Sequence, residues 1–164
     1  MIDFFHKGAS MTKRISGVAK IKGAPEINPR SPVRISRIGT FKNENDPIAS
    51  ILLEVSDTPE SRRRGLMGRK DLPSVCGMLF EGLSGGGYFW MKGCHIPLDI
   101  AFMDKDGIIV KICTMEVDDG KKHYEYDENA VSAVEVKKGF FKNHGIVDGF
   151  KLITRDLRKE SGNG

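Results

Sequence analysis

Residues 98–116, LDIAFMDKDGIIVKICTME, give the clearest indication of the fold class of this chain. Its first half alternates in an extended strand, so that Leu98, Ile100 and Phe102 share one face. Asp99 lies on the opposite face. The letters KDG then supply the Asp-Gly dipeptide typical of a tight hairpin turn, and an apolar run returns after it. The segment therefore predicts two antiparallel strands of a β meander.

The flanking sequence has the same short apolar runs separated by turn signals. ASILLEVSD (49–57), YFWMK (88–92) and FKLITRDL (150–157) each predict a strand. SDTPESRRRG (56–65) predicts a short helix, with a proline in its first turn, three arginines at its far end and a glycine stop. The arginines are first a helix-end signature, with a phosphate or nucleic-acid patch as the alternative. The expected fold is a mainly β, compact antiparallel β-sandwich or barrel-like domain with one or two short helices.

Charge divides the chain near residue 45. Residues 1–45 carry nine Lys or Arg against three acidic residues, whereas residues 46–164 carry seventeen against nineteen. Because prolines interrupt the first part and little of it is apolar, we expect an extended basic N-terminal arm there. A β domain at 46–157 and a polar tail at 158–164 follow. VRISRI, residues 33–38, is the candidate strand within the arm, and the prolines before it predict an edge position.

Several function classes lack a signal in the sequence. The three cysteines show no C-x-x-C spacing and the four histidines are scattered, so we predict no metal site. No run approaches the roughly 20 apolar residues of a membrane span, and the N-terminus lacks the apolar core of a secretory leader. We therefore expect no cofactor, no membrane contact and a cytoplasmic protein, or one assembled into a particle.

Four motifs together resemble a known family. They are GLMGR (65–69), GMLF (77–80), FWMK followed after four residues by PLDI (89–100), and HGIVDG (144–149). Their order and spacing are similar to those of the domain of unknown function 192 family, over about residues 49–152. The resemblance implies a compact, mainly β domain with a short helix, and it implies no reaction, because the family has no established activity. Members generally place polar residues after WMK, where this chain has Gly93 and Cys94.

Four residues are candidates for a ligand site, and no residue is assigned a catalytic role. Trp90 shares a strand face with Tyr88 and can stack on a sugar or a base, although core packing is the alternative. Lys92 and Asp99 flank a turn and are predicted to form either a salt bridge that holds it or an acid–base pair. Arg69, in the GLMGR motif, is the fourth candidate.

The leading functional hypothesis is a non-catalytic structural or assembly module, anchored by its arm in a larger complex such as a virion or phage particle. The arm would contact other protein subunits or, non-specifically, nucleic acid. The residues expected to make these contacts are Lys13, Arg14, Lys20, Lys22, Arg30, Arg34 and Arg37. The alternative is a domain that binds a small carbohydrate or anion through Trp90, Lys92 and Asp99. An uncharacterised enzyme is a third hypothesis.

Overall fold

The computed structural model describes residues 21–23 and 34–157. The strands are β1 (Arg37–Lys42), β2 (Pro47–Ser56), β3 (Cys76–Glu81), β4 (Gly87–Phe89), β5 (Leu98–Met103), β6 (Ile109–Met115), β7 (Tyr124–Tyr126), β8 (Ser132–Lys137) and β9 (Lys151–Asp156). The helices are α1 (Pro59–Arg64) and α2 (Phe140–Asn143). The prediction of a mainly β domain with short helices is confirmed. None of the helices in the described part of the chain is long and apolar enough to cross a membrane.

Seven of the strands form one sheet, in the order β6-β5-β8-β3-β2-β1-β9, and β4 pairs with β7 in a small second sheet. The predicted antiparallel arrangement holds for every neighbouring pair of the large sheet except β2 and β3, which are parallel. The segment between these two strands contains α1, and parallel neighbours need such a crossover connection. Thr58 caps α1 by accepting a hydrogen bond from the backbone N–H of Ser61.

Of the predicted strand VRISRI, Arg37 and Ile38 lie in β1, and β1 is inside the sheet, so the predicted edge position is wrong. Arg37 of β1 is opposite Leu53 of β2 on one side and opposite Asp156 of β9 on the other. The last strand of the described chain therefore covers the edge that β1 would otherwise expose. β1 also falls within the predicted arm, so the sheet begins before the predicted boundary at residue 46. The rest of the arm, apart from residues 21–23 and 34–36, and the tail at 158–164 lie outside the described residues.

Two groups of buried side chains cover opposite faces of the large sheet. Successive residues of one strand alternate between the groups, as Leu52 and Leu53 do. The α2-side core is built around Phe41, Phe140 and Phe141, whose ring centroids are 5.7 Å apart in each pair. The β4-side core is built around Phe80, Phe89 and Phe102. Both faces of the large sheet are therefore covered over its central strands, whereas Ile48 of β2 and Ile153 of β9 remain exposed.

The two edge strands of the large sheet meet at one end only. Ile108 forms an isolated bridge with Lys151, and the backbone N–H of Ile109 donates to the carbonyl of Phe150 at 2.8 Å. β6 and β9 are not paired along their lengths. The described sheet therefore curls without closing into a barrel.

Candidate functional site

A cleft of about 440 Å³ opens on the β4 side of the sheet. This volume lies within the range of roughly 300–1,000 Å³ that is usual for small-molecule sites. One wall comes from α1 and the residues just after it, and the facing wall comes from β4, β7 and Trp90. Glu135 of β8 and Cys94 are the buried polar residues of its lining.

The aromatic wall presents two large side chains to solvent. Tyr88 is 51% exposed and Trp90 is 41% exposed, and their rings meet edge to face with centroids 6.1 Å apart. The Tyr88 ring also stacks on His123, 3.9 Å between centroids. Phe89, between them in the chain, packs on Phe80 in the core. Tyr88 and Trp90 therefore face the cleft, as the alternation predicted for YFWMK requires, although β4 ends at Phe89, which packs on the core and also lines the cleft.

The opposite wall carries the three adjacent arginines of α1, and all three line the cleft. Arg62 donates hydrogen bonds to the backbone carbonyls of Asp57 and Glu81, at 3.0 Å and 2.7 Å. Arg63 and Arg64 are exposed and form no ion pair with any described residue. The two interpretations of the arginines, a helix end and a phosphate or nucleic-acid patch, are therefore compatible, because the last turn of α1 forms the rim of the cleft.

Glu135 lies at the floor of the cleft and is only 4% exposed. In the sheet it is flanked by Met78 of β3 and Ile100 of β5, both of the β4-side core. Its carboxyl group has no hydrogen bond or ion pair to any described residue. No fully enclosed side-chain oxygen of the described chain lacks a partner, so the Glu135 oxygens retain access to the cleft. Burial raises the pKa of Glu135 to about 8.

Cys94 is the thiol beside this glutamate. Burial, and then the charge of Glu135, raise the pKa of Cys94 to about 11. The thiol is therefore protonated at neutral pH and is not an activated nucleophile, since the thiolate is the reactive form.

Lys92 and Asp99 do not form the predicted pair. The Nζ atom of Lys92 lies over the Trp90 ring, 5.4 Å from its centroid. Asp99 is buried and accepts hydrogen bonds from the Thr114 hydroxyl and the Gly139 backbone N–H, each at 2.8 Å. The reason is the alternation of β5, which turns Asp99 away from the face that carries its neighbours Leu98 and Ile100 and toward the start of α2.

Arg69 is committed to a pair within the fold. One guanidinium nitrogen donates to both carboxylate oxygens of Glu54, at 3.0 Å and 2.8 Å. Neither Arg69 nor Lys92 nor Asp99 lines the cleft, so Trp90 is the one of the four predicted ligand residues that does.

The predicted arm residues are described only in part. Lys13, Arg14, Lys20 and Arg30 lie outside the described residues, whereas Lys22 and Arg34 are exposed. Arg37 forms a salt bridge with Glu81, with a second hydrogen bond of 3.1 Å between its other terminal nitrogen and the carboxylate. The Arg37 side chain is therefore occupied within the sheet.

The other cavities and side-chain clusters of the described chain have fewer features of a binding site. No three His, Cys, Asp or Glu side chains within 21–23 and 34–157 are placed to hold a metal ion. A larger concavity of about 690 Å³ is lined by residues that include Ile21, Ile48 and Ile153. Its ionisable lining residues, Lys22, His144 and Arg155, are all exposed. The smaller cleft is the stronger candidate because it holds the buried carboxyl group.

Sequence reasoning did not identify Glu135 as a candidate. In AVEVK, residues 133–137, the glutamate alternates with two valines and so has the pattern of a solvent-facing position. The β4–β7 sheet covers that face, and the pairing of β4 with β7 joins segments far apart in the sequence. The three adjacent arginines of α1 were a sequence feature that could have indicated the cleft, since all three line it.

Two solved structures have the same fold as this chain. One is a protein from Sinorhizobium meliloti 1021 named as a "putative transcription regulator", with 25% identity and a TM-score of 0.69, covering 76% of this chain and 98% of its own. The other is a protein of unknown function from Novosphingobium aromaticivorans DSM 12444, with 26% identity and a TM-score of 0.69, covering 82% and 96%.

A search of curated proteins found no significant match. The sequence model of the family named DUF192 and described as "Uncharacterized ACR" matches residues 40–154, which is well over half of the chain. The predicted resemblance is thereby confirmed, and the chain belongs to the domain of unknown function 192 family.

Proposed function

We propose that this protein is a small-molecule-binding domain whose ligand occupies the cleft between α1 and the β4–β7 sheet. The observation that carries the proposal is a cluster of exposed apolar side chains at one place. Met67, Tyr88 and Trp90 are each at least 41% exposed, and all three line this cleft. Contiguous exposed apolar surface on a soluble domain is typical of a binding site.

The walls of the cleft favour a carbohydrate or a small anion. Aromatic faces such as that of Trp90 pack well on the apolar faces of sugar rings. The guanidinium groups of Arg63 and Arg64, which form no ion pair within residues 21–23 and 34–157, match carboxylate or phosphate oxygens. This is the predicted ligand-binding alternative, with one change in its residues. Trp90 stays in the site, Lys92 supports its ring, and the arginines of α1 take the place of Asp99 and Arg69.

The test is a titration followed by amide NMR shifts, with glucose, glucuronate, glucose 6-phosphate and inorganic phosphate as probes. We expect an acidic sugar to shift resonances of residues 62–67 and 88–90 in the unmodified chain. Trp90→Ala should weaken binding at least tenfold. Ile153→Ala removes a comparably exposed apolar side chain outside the cleft and should leave binding unchanged. Equal loss in both variants, or no shift near the cleft, would count against the site.

The uneven charge of the chain supports a second proposal, that the basic arm anchors the domain in a larger assembly such as a virion or phage particle, or in a cytoplasmic complex. Arg37 already forms a salt bridge with Glu81, so we expect it to contribute less to partner contacts than the other arm residues. The residues proposed to make the contacts are Lys13, Arg14, Lys20, Lys22, Arg30, Arg34 and Arg37. Any contact with nucleic acid would also be made by the arm, because residues 46–164 are slightly acidic.

This second proposal is tested by the native mass of the particle that contains the chain. The unmodified chain is compared with a full-length variant in which Lys13, Arg14, Lys20 and Arg30 are all changed to Gln. We expect the unmodified chain in a large assembly and the variant as a monomer. If both chains run as monomers, the arm is not an assembly device.

A further inference from the structure

Two buried glutamates lie on the same face of the large sheet. Glu54 of β2 and Glu135 of β8 are both opposite Met78 of β3, so they are two strands apart, about 10 Å. Glu54 is 7% exposed and Glu135 is 4% exposed. The two side chains therefore share nearly the same degree of burial in one apolar surface.

Only one of these glutamates has a cationic partner in the described chain. Arg69 donates two hydrogen bonds to Glu54, whereas the Glu135 carboxyl group has neither a hydrogen bond nor an ion pair with any residue that the structure describes. A buried polar group without a partner is destabilising. Glu54 has an arginine partner, whereas the carboxyl group of Glu135 faces a cleft. This difference indicates that the Glu135 carboxyl group binds a ligand.

We infer that the carboxyl group of Glu135 is the hydrogen-bonding anchor of the ligand, and that this ligand is a sugar or similar polyol carrying one anionic group. The inference rests on the proposed function and specifies its ligand class. The ring of the sugar packs against Trp90, one hydroxyl group bonds to Glu135, and the anionic group faces Arg63 and Arg64.

The protonation state of Glu135 explains why a hydroxyl group of the ligand is a suitable hydrogen-bond partner for it. With its pKa raised to about 8 by burial, Glu135 is a neutral acid at pH 7. A neutral carboxyl group donates through its O–H and accepts through its carbonyl oxygen, which matches a hydroxyl group. The ionisable groups that share the cleft are Cys94, whose thiol is protonated, the hydroxyls of Tyr88 and Tyr126, and the α1 arginines.

The three arginines of α1, Arg62, Arg63 and Arg64, favour an anionic ligand over a cationic one. An amine could pair with an ionised Glu135, but it would have to pass three guanidinium groups at the rim. Those groups repel a cation and attract an anion. Met78 and Ile100, which flank Glu135 in the sheet, carry no charge to offset that field.

The test uses the full chain with glucuronate, glucose 6-phosphate, glucose and inorganic phosphate, measured by calorimetry and NMR. Glu135→Gln keeps a neutral donor and acceptor, and Glu135→Met removes both while filling similar space. At pH 6.5 we expect the acidic sugars to bind Glu135→Gln within about threefold of the unmodified chain, and Glu135→Met at least tenfold more weakly. Glu125→Gln makes the same chemical change at an exposed position of β7 and should have no effect.

A pH series supplies a readout that a structural role would not move. Affinity of the unmodified chain should fall about tenfold between pH 7 and 9 as Glu135 ionises beside an anionic ligand, while Glu135→Gln stays constant over that range. If Glu135→Met binds as well as the unmodified chain while Trp90→Ala does not, the cleft is a binding site but Glu135 is not its anchor. If inorganic phosphate alone binds, the polyol part of the inference is wrong. If none of the four probes shifts the cleft resonances, both this inference and the proposed function fail.

Discussion

Asp99 accepts a hydrogen bond of 2.8 Å from the backbone N–H of Gly139, and this contact ties β5 to the first residues of α2. A second bond to the same carboxylate comes from Thr114 on the neighbouring strand β6. The aspartate of the PLDI motif thus joins three elements on the α2 side, away from the cleft. Its role in the fold is structural.

Replacing this carboxylate should destabilise the protein without changing ligand binding. We expect Asp99→Ala to lower the free energy of unfolding by about 3 kcal/mol, because two bonds to a buried charged group are lost and Gly139 N–H is left unsatisfied. Urea unfolding followed by circular dichroism measures the change. Asp119→Ala, at an exposed carboxylate paired with Lys121, should cost less than about 0.5 kcal/mol and serves as the control.

The Arg69–Glu54 pair should show the asymmetry of a buried ion pair. Arg69→Met leaves the Glu54 charge buried without its partner, and we expect a loss of about 3 kcal/mol. The double variant Glu54→Leu/Arg69→Met should recover most of that loss, because neither charge remains. Denaturant unfolding of the two variants measures this difference. If the double variant is no more stable than Arg69→Met, the loss does not come from the unpaired charge of Glu54.

Stability should fall with rising pH through the titration of Glu135. Its pKa is raised from 4.5 to about 8 in the folded state, so between these values the folded protein holds a proton that the unfolded chain has released. The free energy of unfolding should therefore decrease by up to about 1.4 kcal/mol per pH unit across that window. Glu135→Gln lacks this pH dependence. The free energy of unfolding of the unmodified protein should therefore fall relative to that of Glu135→Gln up to about pH 8, and the difference should stay constant above it. Parallel pH profiles for the two proteins would contradict the assignment.

Gly77 should tolerate no side chain, for a reason of space. A Cβ atom at this position would lie 2.6 Å from the backbone oxygen of Glu135 on the adjacent strand. We expect Gly77→Ala to lower the free energy of unfolding by about 3 kcal/mol through overpacking. At Gly85 the φ angle is +71° and an added Cβ would meet no other described atom within 4 Å, so Gly85→Ala should cost only about 1 kcal/mol. Thermal and urea unfolding of both variants compare the two.

The local part of the fold was predictable from the sequence. The Asp-Gly turn in residues 98–116 joins β5 and β6, and the helix predicted over 56–65 appears as α1 with Gly65 at its end. Both features depend on contacts between residues close in the chain. Alternation and turn residues report such contacts directly.

The remaining features depend on neighbours that are distant in sequence. The pairing of β1 with β9, and the parallel register of β2 and β3, leave no mark on the local pattern of either strand. Glu135 was missed for the same reason, because its burial depends on a second sheet built from β4 and β7. Trp90 could be predicted as a site residue because it lies in a local aromatic run. Glu135, at the floor of the cleft, could not.

The position of β1 between β2 and β9 has a consequence for folding during protein synthesis. Arg37 leaves the ribosome among the first residues of the sheet, and its partner Asp156 is more than a hundred residues behind it. Until β9 has been made, β1 is an exposed strand edge that other nascent chains can join. The sheet therefore gains its final order only after Asp156 has left the ribosome, more than a hundred residues after Arg37.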